Sequence, residues 1–510
     1  MVTNYFLGVG GTGARVAEAL IHCCAMGFGP KDLFILLVDP DQGNGNLDRT
    51  VMLLKHYDEA YRAVDPTLRG SKVRILSTSI SYPEKLVWNV LTNNESLQSY
   101  IDLGGLKTNQ PELAELASVL FTQQELKTNL NEGFRGHPAI GATVMAGLSD
   151  ADEPWKTFWD SIKTNEQQHG ARVFLAGSIF GGTGAAGVPT FGSRSILKFG
   201  EHALLGGNND RSRIYLGGVL VLPYFVFDSP ETDRDEQEMF VSWTDFPIAT
   251  KAALQFYSTK LDANNLAFDE LYFIGDSIKQ NVGAFHPGNR DQRNKPHYVE
   301  LASALAAIDF FTNRQEPNGG GRRFFGAARK TETVDWDALP LTRMDARVDA
   351  LKNLFRFRAA AFVTFAHSLR HYVTGKLGEA HKEIRDRWYR QHFDRNGGPR
   401  DAESVERLNA VLQLCDDVVH WLAELSTGDY VSLADPERLQ SRDIHEIHSL
   451  LRGPGERLTF NEGFLNMLNE KRVPDERIAS DQLFHLLYEV SAEYACANYR
   501  LDPKLTGEEL

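Results

Sequence analysis

A chain of 510 residues is too long for a single hydrophobic core and implies about two to four domains. Hydrophobic residues make up 42% and charged residues 24%, and 30 phenylalanines are spread along the whole length, which excludes a disordered chain. The net charge of −14 argues against a nucleic-acid binder, because the most basic stretch, RRFFGAARK at 322–330, is short and phosphodiester backbones need a concentrated basic face.

Four cysteines without a CxxC pair fit a reduced, cytoplasmic chain with no zinc signature. The N-terminus lacks the basic segment of a signal peptide, and no run of eighteen apolar residues predicts a membrane span. His22, His137, His286 and His297 are not spaced as metal ligands, so no protein-only metal site is expected.

In chain order, NYFLGV at 4–9 reads as a short strand and GVGGTG at 8–13 as a glycine turn. GTGARVAEALIHCCAMG then places Val16, Ala19, Leu20 and Cys23 on one helical face. LFILLV at 33–38 is continuously apolar, as in a strand buried on both faces, and ends at Asp39-Pro40-Asp41. VRILSTS at 73–79 predicts a third strand and ELAELASVLF at 112–121 a helix. A glycine- and proline-bearing loop, 131–139, enters an apolar helix near Ile140, and residues 153–165 predict another helix. ARVFLAGS at 171–178 is a clear strand, followed by the loop GGTGAAG and a helix with Pro189 in its first turn. RIYLGGVLVLPYF and DELYFIGDS predict two further strands, separated by an exposed acidic stretch at 228–240 and a helix over 246–265. A polar loop then leads into the apolar helix VELASALAAIDFFTN.

This alternation predicts a Rossmann-like, mostly parallel α/β sheet with helices on both faces over residues 1–313. After a turn at NGGGRRFFG, helical patterns at 347–375, 404–427 and 481–500 predict a mostly helical C-terminal domain over 314–510.

The chemistry is expected at the glycine turns. Gly10, Gly11 and Gly13 permit close approach of a phosphate, and the following helix turns its free N–H groups toward it. Asp39 or Asp41 could hold a ribose hydroxyl. A second turn, Gly181-Gly182-Thr183-Gly184, also follows a strand and precedes a helix, so two such turns open at one sheet edge. Thr12 and Thr183 add hydroxyl donors, and Gly136-His137-Pro138-Ala139-Ile140-Gly141 could close around a terminal phosphate. Arg15 and Arg135 are the cations nearest these turns in sequence.

These residues resemble the tubulin superfamily, and its prokaryotic tubulin-like members more than the bacterial cell-division homologue. GVGGTG is similar to the family's first phosphate loop, VDPD at 38–41 to its second, Gly136–Gly141 to its third, Phe180–Ala186 to its fourth and signature loop, and LVLPYF at 220–225 to its fifth. The likeness spans about residues 1–310. It implies GTP or GDP with Mg2+ as ligand, held through Gly10, Gly11, Thr12, Gly13, Asp39, Asp41, Gly136, Pro138, Gly141 and Gly181–Gly184. It also implies an asparagine against the base, at Asn264 or Asn265, and an acid that completes hydrolysis across a subunit contact. The nearest candidates for that acid are Asp291, Asn294 and Glu300, the last with an alternative reading as a first-turn acid. Phe180, Ala185 and Ala186 depart from the family's signature, and the helical tail departs from its second domain. The implied function is a guanine-nucleotide-binding protein and a GTPase active on self-assembly. The alternatives are a nucleotide-controlled scaffold whose tail recruits a protein partner, and an NAD- or FAD-dependent Rossmann enzyme.

Overall fold

The computed structural model describes residues 3–41, 43–70, 73–91, 95–149, 151–168, 170–193, 214–228, 246–262, 266–283, 290, 292–313, 322–339, 348–374, 387–393, 398–428, 430–441, 443–453 and 458–508. Asn264, Asn265, Asp291, His286, most of the acidic stretch at 228–240 and the glycines at 319–321 lie outside the described residues.

Ten strands are described: β1 Thr3–Val9, β2 Asp32–Val38, β3 Ser79–Ser81, β4 Val87–Trp88, β5 Ala171–Ser178, β6 Ile214–Val221, β7 Phe225–Val226, β8 Glu270–Ile274, β9 Gln280–Asn281 and β10 Arg323–Ala327. Eight form one sheet in the order β10-β8-β6-β5-β1-β2-β3, with β4 also pairing β2, while β7 and β9 form a separate pair. Every pairing between these ten strands is parallel. The chain runs outward from β1 through β2 to β3, then returns to the other flank of β1 for β5, so the direction of winding reverses between β1 and β5. In open α/β sheets the crevice at the carboxyl ends of such a strand pair is where ligands bind.

Burial explains the strand composition. All eight residues of β5 are buried, as a central parallel strand covered on both faces requires. Successive β1 side chains alternate between the faces: Phe6 belongs to one core, and Tyr5, Leu7 and Val9 to the other.

The helices that matter below are α1 Gly10–Ala25, α2 Gly45–Ala63, α3 Pro138–Ala146, α4 Trp155–Gln168, α5 Gly182–Phe191, α6 Phe246–Asp262, α7 Tyr298–Thr312, α8 Val348–Thr374, α9 Ala402–Leu425 and α10 Ala479–Tyr499. Helices α3, α4, α5 and α6 cover one face of the sheet, and α1, α2 and α7 the other. The C-terminal helices α8, α9 and α10 extend that second core outward: Trp421 stacks on His22 at 4.6 Å and Phe355 meets Phe28 at 4.9 Å. Polar contacts follow the same seam, from Asp417 to His56 at 2.7 Å and from Arg407 to the Ala63 carbonyl at 3.2 Å. The architecture is therefore a parallel sheet flanked by helices, followed by a mostly helical C-terminal region.

Three local expectations are corrected. Residues 73–78 are not a strand: Val73, Ile75 and Leu76 are buried, but Leu76 has φ of 55°, and the ladder begins only at Ser79. Residues 323–327, expected in a turn, form β10 against β8, where Phe325 stacks on Tyr272 at 4.8 Å. Pro189 is inside α5 and not in its first turn, because the helix already begins at Gly182. Among the described residues, no helix is long and apolar enough to cross a membrane.

Candidate functional site: two glycine turns around one cavity

β1 and β5 lie side by side, and each ends in a glycine turn that is itself the first turn of a helix. Helix α1 begins at Gly10 and α5 at Gly182, and neither N-cap, Val9 or Gly181, provides a side-chain acceptor to the first-turn amides. Such amides carry the positive end of the helix dipole and seek an acceptor from elsewhere. The two turns touch: Gly10 has φ of +72°, and a Cβ built on it would lie 3.2 Å from both the Thr183 Cβ and the Gly184 nitrogen. Only glycine satisfies both constraints there.

A cavity of about 150 Å³ opens between them, lined by Gly10, Gly11, Thr12 and Gly181–Gly184. Asp39, Asp41 and Asn44 line it from the end of β2, and Glu132–Gly136 from the turn before α3. Phe180, Phe225, Phe227 and Phe246 form an aromatic wall, and Gln292 and Asn294 enter from the segment before α7. The first-turn residues of both helices are among its lining, as a phosphate subsite requires.

Several expected site residues converge here and others do not. Gly13 packs instead: a Cβ on it would lie 2.6 Å from the Ala176 carbonyl oxygen and 2.7 Å from the Gly8 carbonyl carbon, so it brings α1 down onto the sheet. Gly141 serves the α3–α5 contact, its built Cβ being 2.7 Å from the Ala186 Cβ. Pro138 lines a different, apolar cavity. Gly182 sits against Phe134, its built Cβ being 2.8 Å from the Phe134 Cβ and 3.0 Å from its carbonyl oxygen.

Glu300 is a structural acid. It is 2% exposed and does not line the cavity. Its carboxylate meets the Arg15 Nη2 at 2.5 Å and accepts from the Tyr224 hydroxyl at 2.7 Å and from the His297 amide at 2.9 Å. With His297 as N-cap it completes a capping box on α7. Burial pushes the Glu300 carboxyl up, while Arg15 and Tyr224 draw it down. Arg15 lines the cavity, but it is anchored by this pair and donates to the Lys295 carbonyl at 2.6 Å. Arg135, with φ of 42°, is paired to Glu132.

Asn294 does reach the cavity. The Asn46 side chain accepts from its backbone amide at 2.8 Å, and its own Oδ1 accepts from Gln292 at 2.6 Å. Burial, and then Asp41, push the Asp39 carboxyl well above the usual carboxylate range. Among the described residues, no group of three or more His, Cys, Asp or Glu side chains is placed to hold a metal by itself.

Sequence reasoning missed Asn44, Asn46, Ser178, Gln292 and the aromatic wall. Asn44 had a readable signal, an N-cap before a helix: its side chain accepts from the Asn46 amide at 2.9 Å. Asn46 and Gln292 are both tied to Asn294, the first across more than two hundred residues of sequence. No protein-family model matches the chain, and no curated protein matches it.

Proposed function

We propose that the chain binds a nucleotide by its phosphates at the β1–β5 switch point, and that the nucleotide is GTP or GDP held in the manner of the tubulin superfamily. One observation carries this reading: two helix N-termini without side-chain caps, on neighbouring strands, face one small cavity. A dinucleotide-binding Rossmann enzyme uses one such turn and leaves the second without a role. The cavity matches the phosphate end of the ligand, and Phe225, Phe227 and Phe246 offer apolar faces on which a base can stack beyond it.

Asp39 and Asp41 fit a magnesium ion that arrives with the phosphates. Two neighbouring carboxylates, one of them strongly discouraged from ionising, gain from a divalent cation, and magnesium takes one or two carboxylates plus phosphate oxygens. The ion would offset phosphate charge.

Binding is better supported than hydrolysis within one chain. Of the three residues considered for activating water, Asn294 lines the cavity but is neutral, Glu300 is engaged and buried, and Asp291 lies outside the described residues. With Asp39 and Asp41 assigned to the magnesium ion and Glu132 paired to Arg135, a GTPase would take its acid from a second copy on self-assembly. Without one, the chain is a nucleotide-controlled scaffold whose helical C-terminal region recruits a partner.

Calorimetric titration of the full chain with GTP, GDP, ATP and NAD+, each with and without Mg2+, tests the reading. Saturable binding of guanine nucleotide, strengthened by Mg2+, is expected. Binding of NAD+ alone, or of none of the four, overturns it. Phosphate release that rises more than linearly with protein concentration identifies the assembling GTPase over the scaffold.

A further inference from the structure

A second, larger cavity lies on the face of the sheet covered by α3, α4, α5 and α6. It measures about 980 Å³, at the upper end of the range of small-molecule sites. Short side chains on three helices leave the space open, among them Ala142 of α3, Ala185 of α5 and Ala252 of α6. The opposite wall is aromatic: Trp155 stacks on Trp88 at 5.5 Å and on Trp159 at 5.9 Å. None of the described lining residues carries a charge.

One polar group in this lining stands out. Tyr257 of α6 is 2% exposed, and among the described residues its hydroxyl has no hydrogen-bond partner. A buried phenol ordinarily finds one, and leaving it unmade is costly. Thr190, by contrast, already donates to the Ala186 carbonyl at 2.8 Å. Burial raises the Tyr257 phenol well above its ordinary range, so it keeps its proton at neutral pH and can act as a donor.

We propose that this cavity is a binding site for an uncharged, largely apolar small molecule carrying one hydrogen-bond-accepting oxygen, which the Tyr257 hydroxyl caps while the Trp88–Trp155–Trp159 stack covers its apolar body. The absence of lining charge rejects anionic and cationic ligands, whose desolvation nothing there would offset. The aromatic stack supplies a flat apolar contact, and the lone phenol fixes orientation, the division of labour expected of a specific pocket. The proposal is independent of nucleotide binding, since Gly10, Gly11 and Gly181–Gly184 do not line this cavity.

The test uses the uncharged naphthalene ketone prodan as probe on the full chain. Three of the seven tryptophans line the cavity, so bound prodan should quench tryptophan emission by energy transfer and shift its own emission to the blue. Saturable micromolar binding at one site per chain is expected. Anilinonaphthalene sulfonate, similar in size but anionic, should bind at least about tenfold more weakly. Tyr257→Phe should weaken prodan about fivefold, the equivalent of one hydrogen bond. Ala142→Trp and Ala252→Trp fill the space from two different helices, and both positions are exposed, so folding should survive in at least one; each should abolish binding. Failure of the wild-type chain to bind prodan, unchanged binding in a folded filling variant, or unchanged affinity in Tyr257→Phe overturns the proposal.

Discussion

Glu300→Gln separates a structural acid from a reacting one. In the folded chain the carboxylate receives Arg15 and Tyr224 on Oε1 and the His297 amide on Oε2, with both side chains of the ion pair 3% exposed. An amide has one acceptor oxygen. Whichever way it is turned, its NH2 faces either the two side-chain donors or the His297 N–H, and Arg15 loses its direct counter-ion and keeps only the more distant attraction of Glu18. Breaking a buried pair from one side costs about 3–5 kcal/mol, and the capping bond to the His297 N–H survives when the amide oxygen turns toward it. Arg15→Met leaves the opposite charge stranded and should cost a similar about 3–5 kcal/mol. The double variant buries no charge, so it should be more stable than the sum of the single losses predicts by about 2–3 kcal/mol. Urea unfolding at pH 7.5, followed by circular dichroism, measures all four corners of the cycle. Additivity within about 0.5 kcal/mol would refute the pairing as the origin of the cost. A Glu300→Gln chain with wild-type stability and no nucleotide turnover would return Glu300 to the reaction.

Three further outcomes follow from single contacts. Gly182→Trp should abolish nucleotide binding, because even a Cβ at 182 meets Phe134 at 2.8 Å and a larger side chain must displace this part of the cavity wall; normal affinity by calorimetry sinks the site. His297 is held neutral, its pKa pushed down to about 3 mainly by burial, with Arg15 and Arg329 adding to the effect against Asp276. Its folded value lies below the unfolded value of about 6.5, so the unfolded chain binds the proton more readily; the contribution is complete above about pH 6.5 and is lost as pH falls toward 3. Between pH 7 and pH 5 that amounts to about 2 kcal/mol, and His297→Asn, which keeps a capping acceptor, should flatten the urea midpoint over this window. Trp421→Ala removes a side chain only 4% exposed from its stack on His22 and should cost about 3–5 kcal/mol; a loss below about 1 kcal/mol would mean that the C-terminal helices add little to the core they share.

The central strands were readable because burial on both faces leaves an unbroken apolar run, as in LFILLV and ARVFLAGS. The same signal misled at VRILSTS, where Val73, Ile75 and Leu76 fill the core from a bent segment and not from a ladder. Apolar content reports burial, and only backbone geometry decides whether the buried residues pair. RFFGA shows the reverse. One face of β10 is exposed, with Phe324 56% accessible, so a five-residue edge strand after a glycine run resembled a turn. At the site, each glycine turn was legible because a strand ends and a helix starts there. Its partners were not. Asn294 reaches the cavity through Asn46, and no local pattern encodes a contact across that separation.

Phe180, Ala185 and Ala186, where the chain differs from the signature it resembles, are each explained by what the side chain touches. Phe180 packs against Phe246 at 4.7 Å and Phe225 at 5.5 Å, so a glycine there would remove the middle of the aromatic wall and not merely widen the turn. Ala186 is 4% exposed and faces Gly141, where two Cβ atoms would be only 2.7 Å apart. Alanine on α5 at this contact therefore requires glycine on α3. Ala185 lines the large apolar cavity and not the small one between the glycine turns, so a hydroxyl at that position would point at tryptophans and alanines. Ala185 and Ala186 thus fall on sides of the helix turned away from the proposed phosphates, while Gly181 through Gly184 line their cavity. A substitution that crowds a phosphate must enter that cavity. On this reasoning Ala185→Ser should alter prodan binding and leave nucleotide affinity within about twofold, and Thr183→Val, which removes a hydroxyl from the small cavity, should do the opposite.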